Sequence, residues 1–201
     1  MKKTSNKRNS NTEFEIKKAA LHYISKYGYE GTTLKDIAQT VGIKTPSIYS
    51  HFDSKEQLFI SLLKDLRIKD REGLMKHVLS LRNKSIEEVF KNLFFYYTDA
   101  NNIVFWVIAL KEILMHPTTD IVQNLREGFT ELEREISIQL TELFQIGRNE
   151  GWIKRKDTEL MISLFFTLID GLLVEQSLYD DKKYEERRKE MWNLYRQIIT
   201  Q

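Results

Sequence analysis

Between residues 44 and 55 the sequence reads "KTPSIYSHFDSK". Two ammonium groups, a phenol, an imidazole and several hydroxyls crowd into twelve positions. Ile48 and Phe52 lie four apart, so on a helix they share one side. Ser47, Tyr49 and Ser50 then face away from it, toward solvent. Donors and cations on an outward helix face suit contact with phosphates and base edges of a nucleic acid. Lys55 falls in the first turn of the next helix, where the helix dipole disfavours a cation. Its placement makes sense beside an external phosphate.

Catalytic patterns are missing elsewhere. The histidines, at 22, 51, 77 and 116, lack metal-ligand spacing of the HExxH kind. The sequence contains no GxSxG, no P-loop and no GxGxxG. Glu87 and Glu88 are consecutive, so on a helix they point in different directions. The absence of cysteine excludes a disulfide scaffold, thiol catalysis and cysteine-ligated zinc, and it suits a reducing cytoplasm. The chain reads as a non-enzyme with no cofactor and no metal.

The elements that must position residues 44–55 are helical. Two prolines and eight glycines in 201 residues favour long helices over a sheet. A first helix is predicted from Glu13 to Tyr27, with Phe14, Ala20, Leu21 and Ile24 at helical spacing and Gly28 as its stop. "TTLKDIAQTVGI" gives a second, capped by Thr33 with Asp36 three residues on. Ile37, Ala38 and Val41 form its inner face, and Gly42 ends it. Thr45 is expected to cap a third helix that has Pro46 in its first turn and ends near Phe52. Asp53 or Ser54 caps a fourth, with Glu56 and Gln57 at capping-box distance. A small Ala38, a turn at Gly42 and an apolar set of Ile37, Val41, Ile43 and Ile48 make the second and third helices a helix-turn-helix.

Charge agrees with this reading. Residues 1–52 carry nine Lys/Arg against four acids, a net of +5, whereas the remainder is −3. A basic end on a slightly acidic body suits a polyanion. A helical protein-interaction module would have no need of it. The basic amino terminus has no apolar stretch behind it, so it is not a secretory signal. The longest apolar run, Leu160 to Val174, is too short and too broken by Asp170 and Gly171 to span a membrane.

"GTTLKDIAQTVGIKTPSIYSHFDSKEQLF", Gly31 to Phe59, resembles the DNA-binding segment of the TetR family of transcriptional regulators. The Gly–Ile turn, Tyr49, His51-Phe52 and Ser54-Lys55-Glu56 carry the resemblance. Lys44 and Ser47 depart from the serine and threonine common at those positions, which leaves the operator sequence open. The resemblance implies an all-α fold, with a three-helix DNA-binding domain ahead of a larger helical domain for effector binding and dimerisation. It places the boundary at 1–53 and 54–201. It implies a cytoplasmic repressor that binds a palindromic operator in double-stranded DNA as a homodimer and is released by a small-molecule effector. Tyr49, His51, Lys55 and Lys44 are then expected at phosphates, and Thr33 both caps its helix and touches phosphate. Lys44, Thr45, Pro46, Ser47 and Ser50 are candidates for base contact, Pro46 through a thymine methyl.

With that fourth helix, the remainder is predicted as six helices: Ser54 to about Leu81, with Gly73 as an interruption; Ser85–Asp99; Ile103–His116; Thr119 to about Arg148; Thr158–Tyr179; and Tyr184–Ile199. Residues 180–183 read as a solvated connection. Aromatic side chains concentrate between 90 and 106. Phe90, Phe94, Tyr97 and Trp106, with Phe129, are candidates for the effector pocket that the resemblance implies. Asp99, Glu112 and Asp170 sit in or near apolar segments and are expected exposed or hydrogen-bonded at helix edges, where each could orient a cationic ligand. The helix 158–179 is apolar almost all round and needs cover on more than one face. A second subunit is the natural cover, and the resemblance implies a four-helix bundle from the last two helices of each protomer. Met161, Phe165, Leu168, Leu172, Met191, Tyr195 and Ile198 are the expected interface.

Overall fold

A computed structural model describes residues 2–115 and 120–201, with side chains for 11–115 and 121–201. The described residues form nine α-helices and no strand: α1 (Lys2–Tyr27), α2 (Leu34–Val41), α3 (Thr45–Ile48), α4 (Lys55–Ser80), α5 (Ile86–Tyr97), α6 (Val104–Met115), α7 (Asp120–Asn149), α8 (Thr158–Glu175) and α9 (Asp181–Thr200). His116, Pro117, Thr118 and Thr119, on which the predicted end of α6 and start of α7 fall, lie outside the described residues. No described helix is long and apolar enough to cross a membrane.

The chain packs as two units. One contains residues 1–68 and 108–126, the other 69–107 and 127–201. In the first, Ile16, Ala20 and Ile24 of α1, Ile37 and Ala38 of α2, Ile48 of α3, and Leu58 and Phe59 of α4 close a common core. In the second, α5, α8 and α9 pack together around Phe94, Phe165 and Tyr195, all fully buried.

Local chemistry explains the helix ends. Thr33 caps α2 by accepting the Asp36 N–H at 3.2 Å. Gly42 takes φ +76°, a left-handed conformation that costs glycine least, and its N–H closes the helix against Ala38 and Gln39 carbonyls. Ser54 Oγ accepts the Gln57 N–H at 3.0 Å while Gln57 Oε1 takes the Asp53 N–H at 2.5 Å, a capping box that starts α4. Ser85 and Glu88 form another at α5.

Several predicted ends shift. Thr45 is the first residue of α3, and Lys44 occupies its cap without a side-chain bond. Pro46 holds the first turn by its fixed φ, so α3 starts without a hydroxyl cap. The helix is one turn long and does not reach Phe52. α1 runs back to Lys2, well before Glu13. The expected 180–183 connection is a helix start, because the Asp180 carboxylate accepts the Lys183 N–H at 2.9 Å. Gly73 does not interrupt α4. A Cβ there would lie 2.8 Å from the Tyr96 hydroxyl, so the glycine admits a close approach of α5.

Candidate nucleic-acid interface and effector recess

α3 owes its position to a single fully buried side chain. Ile48 is 0% exposed, held against α2 by the turn at Gly42. Everything else on this short helix is turned out or half out. Lys44, Pro46, Ser47 and Ser50 are exposed, Thr45 and His51 are half-buried, and Tyr49 is 54% exposed. A tyrosine ring left that far in water is costly for packing and useful for reaching a partner. Ser50 Oγ donates to the Ser47 carbonyl at 2.7 Å, which ties it to its own helix and leaves its lone pairs outward. Seven of the candidate contact residues therefore share one continuous stretch of chain with no ion pair to a protein carboxylate among the described residues.

Lys55 sits differently. Its Nζ lies 4.2 Å from the centre of the Tyr29 ring, a cation–π contact that supports a lysine at a helix start. Burial lowers its pKa from the usual lysine value, against the opposing pull of Glu30 and Glu112. Tyr29 in turn packs on Phe59 at 4.9 Å, and its backbone N–H donates to Glu112 Oε1 at 2.9 Å. Glu112 is 2% exposed. Of the two expectations for it, exposure or a hydrogen bond, the structure has the hydrogen bond: Glu112 is buried and accepts from the α1–α2 connection. Tyr29 was absent from the candidates, because nothing in the sequence marks it as the platform under Lys55.

The aromatic candidates part company. Phe90 packs on Phe144 and Trp152, and Phe94 on Phe165, Trp192 and Tyr195, with both phenylalanines fully buried in the second unit's core. Trp106 lies 4.4 Å from Phe129 and 5.7 Å from Phe166, and its Nε1–H donates to Asp170 at 2.8 Å. Tyr97 alone of the five lines a recess of about 370 Å³, counted to its open mouth, with Asp70, Leu74, Tyr96 and Ile136 among the other walls. Asp70 is 6% exposed, and its Oδ2 accepts the Phe105 N–H at 2.7 Å at the start of α6. Burial pushes its pKa up to about 6. Nothing along the chain marks it, since one acid between Lys69 and Arg71 looks solvated.

The interface candidates also divide. Met161, Phe165, Leu172 and Tyr195 are buried within the protomer, the Tyr195 hydroxyl donating to the Met161 carbonyl at 3.1 Å. Leu168, Met191 and Ile198 are half-exposed. Leu160, Val174, Leu178 and Leu194 are more exposed still, at 57%, 45%, 68% and 44%. These apolar side chains mark an outward face on α8 and α9 that the protomer leaves uncovered.

Comparison with known proteins fits this geometry. Residues 16–62 match the family model for bacterial regulatory proteins of the tetR family. The chain is 52% identical over 40 residues to the negative transcriptional regulator IcaR of the biofilm operon icaADBC from Staphylococcus aureus strain Newman. That match spans 20% of this chain and 22% of the relative's length. A TetR transcriptional regulator from Chloroflexus aurantiacus has a similar fold, with a TM-score of 0.78 at 20% identity over 97% of both chains. The fatty acid degradation regulator FadR of Bacillus halodurans superposes with a TM-score of 0.67 at 22% identity, over 92% of this chain and 94% of its own. Residues 16–62 are thus similar to the tetR family's DNA-binding segment, and the chain has the fold of a TetR regulator over nearly its whole length.

Proposed function

We propose that this chain is a TetR-family transcriptional repressor that binds a palindromic operator as a homodimer and leaves it when a small-molecule effector binds. The outward face of α3 carries the reading: one buried isoleucine fixes the helix, and exposed Lys44, Pro46, Ser47, Tyr49 and Ser50 cover its other side. In a helix-turn-helix the second helix enters the major groove with its first residues at base edges. Thr45, Pro46, Ser47 and Ser50 are the base-contacting set, with Lys44 at its edge. Tyr49, His51, Lys55 and Thr33 hold the phosphates on either side, and these contacts set register rather than sequence.

The uncovered apolar face of α8 and α9 supports the homodimer, since a second copy gives it the cover the protomer lacks. Two-fold symmetry then matches a palindrome whose half-sites lie about 34–36 Å apart. Coupling of about 1–3 kcal/mol between effector and DNA changes affinity roughly 5- to 150-fold, enough for a genetic switch. α4 supplies residues to both packing units and is the proposed carrier of that coupling. The proposed effector site is the Tyr97 recess.

A mobility-shift titration against DNA upstream of the gene, at several salt concentrations, tests the reading. Saturable binding to a palindrome, with affinity falling steeply as salt rises, is expected. A flat salt response, or no palindrome bound, overturns it.

A further inference from the structure

We propose that the recess beside Asp70 takes an apolar molecule carrying a positive charge, an organic ammonium rather than a neutral or anionic compound. This deepens the effector reading above and rests on it only for the link to DNA release. The walls are aliphatic and aromatic: Leu74, Ile136 and Ile103 with Tyr96 and Tyr97. Asp70 is the buried charge among them, with only 6% of its surface in water. Its carboxylate meets the first amides of α6, Phe105 N–H at 2.7 Å, and no basic side chain pairs with it among the described residues. Lys69, its chain neighbour, offsets only a small part of the desolvation. Arg71, which also borders the recess, is 64% exposed and directed at Glu135, 4.0 Å away. The acid inside the recess is therefore uncompensated, and the nearby cation is turned to the surface.

A second acid pair gives the same sign. Asp170 and Glu133 of the same unit are both partly buried, and burial raises the pKa of each. Asp170 has a neutral donor, Trp106 Nε1–H, and no cation. Among the described residues, none of these three carboxylates has a buried basic partner, while the buried Arg188 of this unit is engaged with Thr98 and Phe95. Desolvated carboxylates favour a cation that comes in from outside. Tyr96 and Tyr97 add π faces, which attract an ammonium group within about 6 Å of a ring centre. Little of the recess is open beyond water-sized space, so a bound molecule must displace side chains, and the long Arg71–Glu135 pair lies among its walls.

The test compares three probes of one shape on the full-length protein without DNA. Benzyltrimethylammonium carries the charge, neopentylbenzene is its neutral isostere, and phenylacetate is an anion. Calorimetry and intrinsic tryptophan fluorescence report binding. The ammonium is expected to bind at least about tenfold more tightly than the neutral compound, with phenylacetate weakest. Asp70→Asn keeps an oxygen for the α6 amides and is expected to erase the tenfold preference while neutral binding persists. If that variant does not fold, Gln139→Trp at the exposed rim is expected to block the recess and abolish ammonium binding. Equal binding of ammonium and isostere overturns the proposal, as does a preference that survives Asp70→Asn, unchanged binding in a folded Gln139→Trp, or no binding of any probe at millimolar concentration. Operator release is measured separately. A neutral or anionic compound that releases DNA would sink the cation assignment and leave the repressor reading standing. A protein that binds ammonium but no DNA would do the reverse.

Discussion

α3 and α8 solve opposite problems. α3 is one turn long, buries Ile48 completely, and exposes hydroxyls, a lysine and a tyrosine. α8 is 18 residues long, buries Met161, Phe165, Ile169 and Leu172 inward, and still exposes Leu160 and Val174. Each has an inner face that fixes it. The outer faces differ in what they can bind. A polar, cationic face loses little in water and gains from phosphates. An apolar face has the opposite balance and gains by covering itself. On the proposed reading the two helices serve different partners, a polyanion and a second protein surface.

The largest effects should come from breaking the inner side of α8 and the outward apolar face of the α8–α9 hairpin. Leu172→Glu places an unpaired charge in the protomer core, at 2% exposure, and should unfold the chain, a cost of several kcal/mol. Leu194→Glu and Leu178→Glu alter side chains that are 44% and 68% exposed. They should leave the fold intact by circular dichroism and split the dimer. Sedimentation of the wild type should give about twice the 23.9 kDa monomer mass, and of these variants the monomer mass itself. A wild type that sediments as a monomer at micromolar concentration would remove the apolar half of the comparison.

Next come the substitutions on and around α3. Thr45→Ala and Ser47→Ala should relax base preference by about 1–3 kcal/mol per lost base contact. Lys55→Ala should weaken binding to all sequences alike and lower the salt slope by about one. Titrations against operator and scrambled DNA separate the two classes. A Lys55→Ala variant with an unchanged salt slope would make its place over Tyr29 purely structural.

The two helices were also unequally legible. Residues 31–59 are a local design: a hydroxyl cap at Thr33, a glycine at the turn, and an apolar set spaced by a helix period. Each feature acts within a few residues, so each can be read along the chain. Even there Thr45 misled, because a hydroxyl before Pro46 reads as a cap whether or not it bonds. The all-α plan was legible for the same reason. In the second unit, the packing depends on pairs far apart in sequence. Asp70 meets Phe105, Asp170 meets Trp106, and Tyr96 lies against Gly73. No periodicity reports such pairs. Aromatic density was visible, but whether a ring lines a recess like Tyr97 or fills the core like Phe94 is decided by neighbours from other helices. The inner and outer sides of α8 were confused because an apolar pattern does not say which partner covers which residue.

Asp70 gives a smaller effect with a definite sign. Its pKa is raised by burial from 3.8 to about 6 in the folded chain. The folded state therefore binds the proton more tightly than the unfolded state. Stability from this group is fully present below about pH 4 and is lost as pH rises through 6, leaving a penalty on the order of 2–3 kcal/mol at pH 7. Asp70→Asn removes the titration. The stability difference between wild type and variant, from urea melts, should move in favour of the wild type as pH falls from 7 to 5. A difference independent of pH would mean that the carboxylate is fully solvated or paired with a cation at neutral pH.

The smallest expected effect sharpens the reading of α9, which shares the outward apolar face with α8. Asp180 lies in a segment whose sequence, "DDKK", looks like a solvated link. Its carboxylate instead accepts the Lys183 N–H at 2.9 Å and opens α9. An N-cap aspartate replaced by alanine costs about 1 kcal/mol. Asp180→Ala should therefore lower stability by about that much, while Lys182→Ala, exposed in the same turn, should change it by less than about 0.5 kcal/mol. The first turn of α9 also holds Tyr184, whose hydroxyl donates to the Thr98 carbonyl. Arg188 one turn later donates to Thr98 Oγ1 at 3.0 Å and to the Phe95 carbonyl at 2.6 Å. These bonds hold the start of α9 in register even when the cap is lost. The loss should thus be fraying rather than displacement, and the dimer mass should stay that of the wild type. If Asp180→Ala instead splits the dimer, the first turn of α9 belongs to the subunit interface and the outward face extends further than its exposed leucines indicate.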